Sequence, residues 1–196
     1  MKKTDVIEFF DTLAESWDDS AEKVAEKVSK ILDVAEISEG KTVLDIACGT
    51  GILVPDYLAR KVKKYIGVDI SKKMIEVAKR KYAGYQNVEF LCDDAEILKL
   101  SEKVDSVVIY NAFPHFVDRV RVFENLSGCL KQGGRLTVAH GMSREALIAH
   151  HAGRAEAIST ILPETEEMSE LMKPFFEVDF KLSDENMYIV SGKLKG

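Results

Sequence analysis

Cysteine is scarce in this chain: Cys48, Cys92 and Cys129 are odd in number, far apart and form no C-x-x-C pair. That argues against a disulfide framework and a thiolate zinc site, and it suits a reducing compartment. Long apolar runs are missing too. Stretches such as Val107 to Tyr110 fall far short of the roughly 20 residues a membrane helix needs. Met1 to Asp11 carries Lys2, Lys3, Asp5 and Glu8 without an extended apolar core or a small-residue cleavage site. No signal peptide is expected, and the cytoplasm is the expected location. No Pro- or Gly-rich linker divides the chain, which has only four prolines. Basic charge is not in excess: 27 Lys plus Arg stand against 33 Asp plus Glu, a formal charge of −6. That balance disfavours nucleic-acid phosphates and anionic membranes as partners and leaves small molecules. What is present is apolar material, 46% of 196 residues, in a chain long enough for one core without external staples. One domain over residues 1–196 is expected.

The apolar residues Val24, Val28, Ile31, Leu32 and Ala35 recur at helical spacing, predicting an amphipathic helix over Ala21 to Ala35. Val6 to Trp17 predicts a shorter one, whose Phe9, Phe10 and Trp17 either pack in the core or close over a substrate, with core packing favoured for most of them. Together they make an N-terminal cap over residues 1–38. After Gly40 come short apolar runs at Thr42 to Ala47, Tyr65 to Val68, Val88 to Leu91, Ser106 to Tyr110 and Arg135 to His140. They read as buried parallel strands. Helices are expected between them at Val54 to Arg60, Lys72 to Tyr82 and Val117 to Leu130, the last closed by Gly133 and Gly134. Such an alternation implies an α/β sheet with helices on both faces and ligands beyond the carboxyl ends of the strands. Phe176 to Leu182 and Met187 to Lys193 form a final hairpin. The segment 141–175, with a helix expected over Arg144 to Thr160, stands outside the alternation as a lid. The basic residues from Arg60 to Lys81 have no interleaved aromatics for base stacking and read as a solvated face.

The chemistry is concentrated at strand ends. Val43 to Gly51 runs from a strand into a glycine-rich turn and then a helix, and Gly49 and Gly51 let the backbone approach a ligand. A dinucleotide loop would want a further glycine where Val54 stands, and it would not want the Asp45 carboxylate under a pyrophosphate. Asp45 instead suits a ligand carrying positive charge, an ammonium or a sulfonium; a local cap in an ordinary tight turn is the alternative. Asp69 ends the second strand 18 residues after Gly51, where a carboxylate can accept from both ribose hydroxyls or cap the next helix. After the third strand, Asp94 is placed to accept from an adenine amino group or to be an exposed turn acid.

As a set, D-x-x-x-G-x-G, the acid-tipped second strand and Asp94-Ala95 resemble the class I S-adenosylmethionine-dependent methyltransferases. The likeness runs from Val43 to about Lys193, and Phe10 to Asp18 resembles the cap of that family's small-molecule branch. It implies a seven-stranded, mostly parallel Rossmann-like sheet with an antiparallel C-terminal hairpin. It also implies that Asp45, Gly49 and Gly51 cradle the methionine part of the cofactor. Asp69 would take the ribose, Ile70 would pack on the adenine, Asp94 and Ala95 would read its edge, and Asn111 would lie beside the sulfonium. Ala112-Phe113-Pro114-His115-Phe116 departs from the Asn-Pro-Pro-Tyr of base and protein-glutamine methylation, which puts those substrates in doubt.

In this fold the fourth and fifth strands are neighbours, so His115 and His140 are expected to emerge together. They would act as a general base, or as a metal site completed by His150 or His151, or simply line a cleft. The expected activity is methyl transfer to a small-molecule acceptor by a monomer or homodimer. A metal-dependent methyltransferase and a non-catalytic S-adenosylmethionine-binding protein are the alternatives.

Overall fold

The computed structural model describes residues 1–20, 23–151 and 156–196. The N-terminal cap comprises α1 (Lys3–Leu13), a 3₁₀ turn (Ala14–Ser16), α2 (Trp17–Ser20) and α3 (Ala25–Val34). There follow β1 (Thr42–Ile46), α4 (Val54–Ala59), β2 (Lys64–Asp69), α5 (Lys72–Lys81), β3 (Val88–Cys92) and β4 (Val104–Tyr110). The chain continues through α6 (Arg119–Cys129), β5 (Leu130–His140), α7 (Arg144–His151), α8 (Thr165–Met172), β6 (Phe176–Ser183) and β7 (Tyr188–Leu194).

The strands form a seven-stranded sheet in the order β3-β2-β1-β4-β5-β7-β6. β3, β2, β1, β4 and β5 pair in parallel, and β7 runs antiparallel to both β5 and β6. The chain winds outward from β1 to β3 and then returns to lay β4 on the other side of β1. Connections leaving β1 and β4 therefore diverge, and the switch point between them opens a crevice at the carboxyl ends of the strands.

Strand side chains alternate between faces. One face sends Leu44, Ile46, Val107, Ile109, Leu136 and Val138 into a core with Phe123 and Leu126 of α6 and Met168 and Met172 of α8. The other packs Val43, Tyr65 and Val108 against Val28 and Leu32 of α3, Tyr57 of α4, and Ile75 and Ala78 of α5. Burial on both faces explains why these strands read as nearly continuous apolar runs. Each large apolar side chain so buried contributes about 1.5–3 kcal/mol before conformational entropy, so the sheet is the rigid base from which the loops project.

Several boundaries differ from the sequence reading. Leu130, expected to end the helix, and the expected turn Lys131 to Gly134 both belong to β5: Leu130 pairs with Val104, and the register shifts before Arg135 pairs with Ser106. Gly133, at φ +72°, supplies the left-handed residue of that irregularity. The helix expected from Arg144 to Thr160 ends at His151. A helix not anticipated there, α8, starts with Glu164 and Glu167 in a capping box and buries Met168 and Met172. Ala21 and Glu22, the expected start of the helix that becomes α3, lie outside the described residues.

Candidate active site

The cleft at the switch point is built from loop residues held by the sheet. Two non-glycine residues, Ala47 at φ +56° and Asn111 at φ +53°, occupy the left-handed region just beyond β1 and β4, and both line the cleft. Strain of this kind persists where the surrounding structure fixes it and concentrates at functional sites. Asn111 is held doubly: its N–H donates to the Ala139 carbonyl at 2.9 Å, and its Oδ1 accepts from the Gly141 N–H at 2.9 Å.

After β1 the chain turns through Gly49, at φ +56°, whose N–H donates to Asp69 Oδ2 at 2.9 Å. A Cβ there would stand 3.6 Å from Trp17 Nε1, so a side chain would grow into the space that Trp17 roofs. Gly51 does not line the cleft, contrary to its expected role in cradling the cofactor. A Cβ on it would lie 2.9 Å from Tyr82 Cε2 and 3.2 Å from Phe90 Cζ, so its missing side chain serves the packing of the turn onto α5 and β3.

Asp69 Oδ1 accepts from the Ser71 N–H at 2.8 Å, and Ser71 rather than Asp69 caps α5, its Oγ accepting from Met74 N–H. Asp94 Oδ1 accepts from the Glu96 N–H at 2.9 Å. Lys3 Nζ, from the cap, lies 2.6 Å from both Asp94 Oδ2 and Glu96 Oε2. The cap also reaches the other two loops: the Ser71 hydroxyl donates to Asp11 Oδ1 and the Thr50 hydroxyl to Asp18 Oδ1, each at 2.5 Å. Val6, Phe10 and Trp17 line the cleft, so Phe10 and Trp17 roof a site instead of only filling a core.

Asp45, Gly49, Asp69, Ile70, Asp94, Ala95, Asn111 and His115 thus come together around one cleft. His140 does not. It ends β5 on the same face as Leu136 and Val138, is wholly buried, pairs with Tyr188 and packs its ring 6.1 Å from that tyrosine's. His115 is carried back to the cleft by the 3₁₀ turn Phe113–His115, which has no counterpart after β5, and so the two imidazoles separate. His150 is exposed, and the side chain of His151 lies outside the described residues. Among the described residues no group of three His, Cys, Asp or Glu could hold a metal ion. Nor, among them, does any residue of 141–175 line the cleft. Leu147, Leu162, Met168 and Met172 of that segment are buried in the core, while Ile158 and Thr160 bond the turn that carries His115.

Electrostatically the cleft favours a cation. Burial pushes the Asp45 carboxyl up to about 7, opposed by a hydrogen bond from Tyr65 and assisted by the nearby Asp69 charge. Burial likewise raises Asp69 to about 6, against the Ser71 and Gly49 N–H groups that favour its charged form. Two desolvated carboxylates gain from an incoming positive group, and the donor set fits a ligand with ammonium, sulfonium and ribose hydroxyls. His115 is held below its ordinary value by burial, partly offset by a 2.9 Å contact of Nδ1 with the Ile158 carbonyl. A carbonyl only accepts, so Nδ1 carries the proton and Nε2 of the neutral ring carries the lone pair.

Lys3 and Glu96 line the cleft and Tyr65 bonds Asp45 from behind it; sequence reasoning missed all three. Lys3 had no signal beyond its charge, and Tyr65 read as one more strand residue.

Residues 43–134 match the family described as methyltransferase domain. The chain is 30% identical over 139 residues to the ubiquinone biosynthesis O-methyltransferase of Coxiella burnetii, covering 69% of this chain and 59% of that protein. It is 27% identical over 157 residues to malonyl-[acyl-carrier protein] O-methyltransferase 1 of Ilyobacter polytropus, covering 75% and 56%. The chain therefore spans little more than half the length of these curated relatives. Magnesium protoporphyrin IX methyltransferase from Synechocystis, solved with bound S-adenosylhomocysteine, shares the fold at a TM-score of 0.74 and 18% identity, over 99% of this chain and 100% of that one. The family match places a methyltransferase domain at residues 43–134, and the sheet has the Rossmann-like fold of the S-adenosylmethionine-dependent class I methyltransferases. Among the described residues no helix is long and apolar enough to cross a membrane.

Proposed function

We propose that this chain transfers a methyl group from S-adenosylmethionine to a small, largely apolar acceptor, with His115 as general base. The observation that supports it most is the gathering of Asp45, Asp69 and Asp94, the acids at or just beyond the ends of three strands, around one cleft with Gly49. Asp45 would meet the ammonium group, Asp69 the ribose hydroxyls and Asp94 with Ala95 the adenine edge, while Ile70 packs on the ring. When bound, the cofactor supplies a methyl already activated by positive sulfur. The chain's task is then to hold the acceptor in line, exclude water and take a proton. Trp17 and Phe10 roof the cleft, and His115 Nε2 takes the acceptor's proton while Nδ1–H stays on the Ile158 carbonyl.

The rest of the lining, Val6, Phe10, Ala112, Phe116 and Val117, suits an apolar acceptor body. That agrees with the ubiquinone-biosynthesis relative more readily than with an anionic acceptor. Calorimetry with S-adenosylhomocysteine, followed by methyl transfer from labelled S-adenosylmethionine to a panel of phenols, thiols and amines, tests the reading. Binding with transfer to at least one apolar acceptor is expected. Binding without transfer to any would leave a nucleotide-binding protein, and no binding would overturn the reading.

A further inference from the structure

The second strand presents a hydroxyl to the acid of the first. Tyr65 O–H donates to Asp45 Oδ2 at 2.8 Å, and both side chains are buried. The register explains the reach. Asp45 lies beside Gly67 and Tyr65 beside Val43, so Tyr65 meets Asp45 diagonally, past a residue with no side chain. A Cβ at Gly67 would come within 2.8 Å of the Phe90 ring and 2.9 Å of Cys48 Sγ, so that gap is filled by Phe90. Phe90 in turn packs on Tyr65 with ring centroids 5.8 Å apart, and Tyr57 packs on Tyr65 at 5.1 Å. Two rings, of Phe90 and Tyr57, thus hold one phenol where it can reach one carboxylate oxygen.

We propose that Tyr65 is a positioning residue of the cofactor site. Its hydroxyl engages Oδ2 of Asp45, fixes the carboxyl's orientation and keeps it charged for the cofactor's ammonium group. The inference rests on the reading of Asp45 above. The titratable groups that face Asp45 from the elements packed on it are Asp69 and Tyr65 of β2, Cys48 of the loop and Tyr57 of α4. None is a cation, and the Asp69 charge opposes ionisation. The Tyr65 bond therefore acts against both burial and repulsion, because a donor bonds a carboxylate more strongly than a neutral acid.

The test uses Tyr65→Phe, with Asp45→Asn as control. Dissociation constants for S-adenosylhomocysteine and for the same molecule lacking its α-amino group are measured by calorimetry from pH 6 to 9. Tyr65→Phe is expected to weaken S-adenosylhomocysteine roughly tenfold at pH 7, as for loss of a bond to a charged group. It should leave the deaminated molecule nearly unchanged and move the midpoint of the pH dependence upward. A merely structural tyrosine would weaken both ligands alike without moving that midpoint, which would overturn the proposal. If Asp45→Asn abolishes the preference for the amine while Tyr65→Phe keeps it, the proposal fails and the Asp45 reading stands. If neither variant alters the preference, both fail. Should Tyr65→Phe not fold, 3-fluorotyrosine at position 65 reads the same contact: as a stronger donor it should move the midpoint downward, and an unmoved midpoint would count against the proposal.

Discussion

Replacing Asp45 with Asn is expected to stabilise the ligand-free fold while weakening its cofactor affinity. Asp45 is buried in β1, and its carboxyl is pushed from an ordinary 3.8 to about 7, first by burial. The folded state therefore holds this proton more tightly than the unfolded chain does. The associated stability is complete below the unfolded value and is lost as pH rises through the folded one. The shift of about 3 units corresponds to roughly 4 kcal/mol of cost for carrying the charge above pH 7. Asn keeps the shape, gives Tyr65 an oxygen to bond and carries no charge. Between pH 5.5 and 7 the cost grows by about 2 kcal/mol, at ~1.4 kcal/mol per unit. Urea unfolding at pH 5.5 and pH 8 should therefore show the Asn variant gaining about 2 kcal/mol over the parent between the two conditions. Calorimetry at pH 8 should show S-adenosylhomocysteine bound at least tenfold more weakly, as expected for loss of a charge-assisted bond of about 1.5–3 kcal/mol. A variant whose advantage does not grow with pH, or which binds as the parent does, would refute the assignment of Asp45 as a destabilising, ligand-serving charge.

Other outcomes follow from neighbouring residues. Asp69→Ala removes the acceptor for the Gly49 and Ser71 N–H groups, so cofactor affinity should fall by about 1.5–3 kcal/mol in calorimetry; unchanged affinity would place the ribose elsewhere. His115→Gln should lower turnover roughly 10²- to 10⁴-fold with cofactor affinity preserved, and the parent's rate should rise on a limb below the ordinary histidine value, because burial lowers this pKa. A stopped-assay pH profile without that limb would remove His115 as the base. Lys3→Gln breaks a part-exposed pair with Asp94 and Glu96, so it should cost less than ~1 kcal/mol in stability yet speed hydrogen exchange in α1. Exchange in α1 as slow as in the sheet would show that the cap is held by its apolar contacts instead.

What the sequence alone determined is the order of elements and the identity of the acids at their ends. Apolar runs of strand length alternating with amphipathic helices admit few arrangements other than a doubly covered sheet, since both faces of such strands must be hidden from water. Asp45, Asp69 and Asp94 were legible because each stands at a strand end, and the strand ends of an open α/β sheet converge on one crevice. Tertiary structure decided everything that depends on which way a side chain points after the strand stops. His115 and His140 follow neighbouring strands, yet a 3₁₀ turn brings one to the cleft while the face alternation of β5 buries the other against Tyr188. Gly51 looks like Gly49 in the motif, but its absent Cβ makes room for Tyr82 and Phe90 behind the turn. Segment 141–175 reads as an excursion, but its apolar residues are spaced to complete one face of the core. The Tyr65 to Asp45 bond and the Lys3 bridge join residues 20 and 91 positions apart. No local pattern encodes such pairs, because they exist only once strand register and helix docking have set the distances.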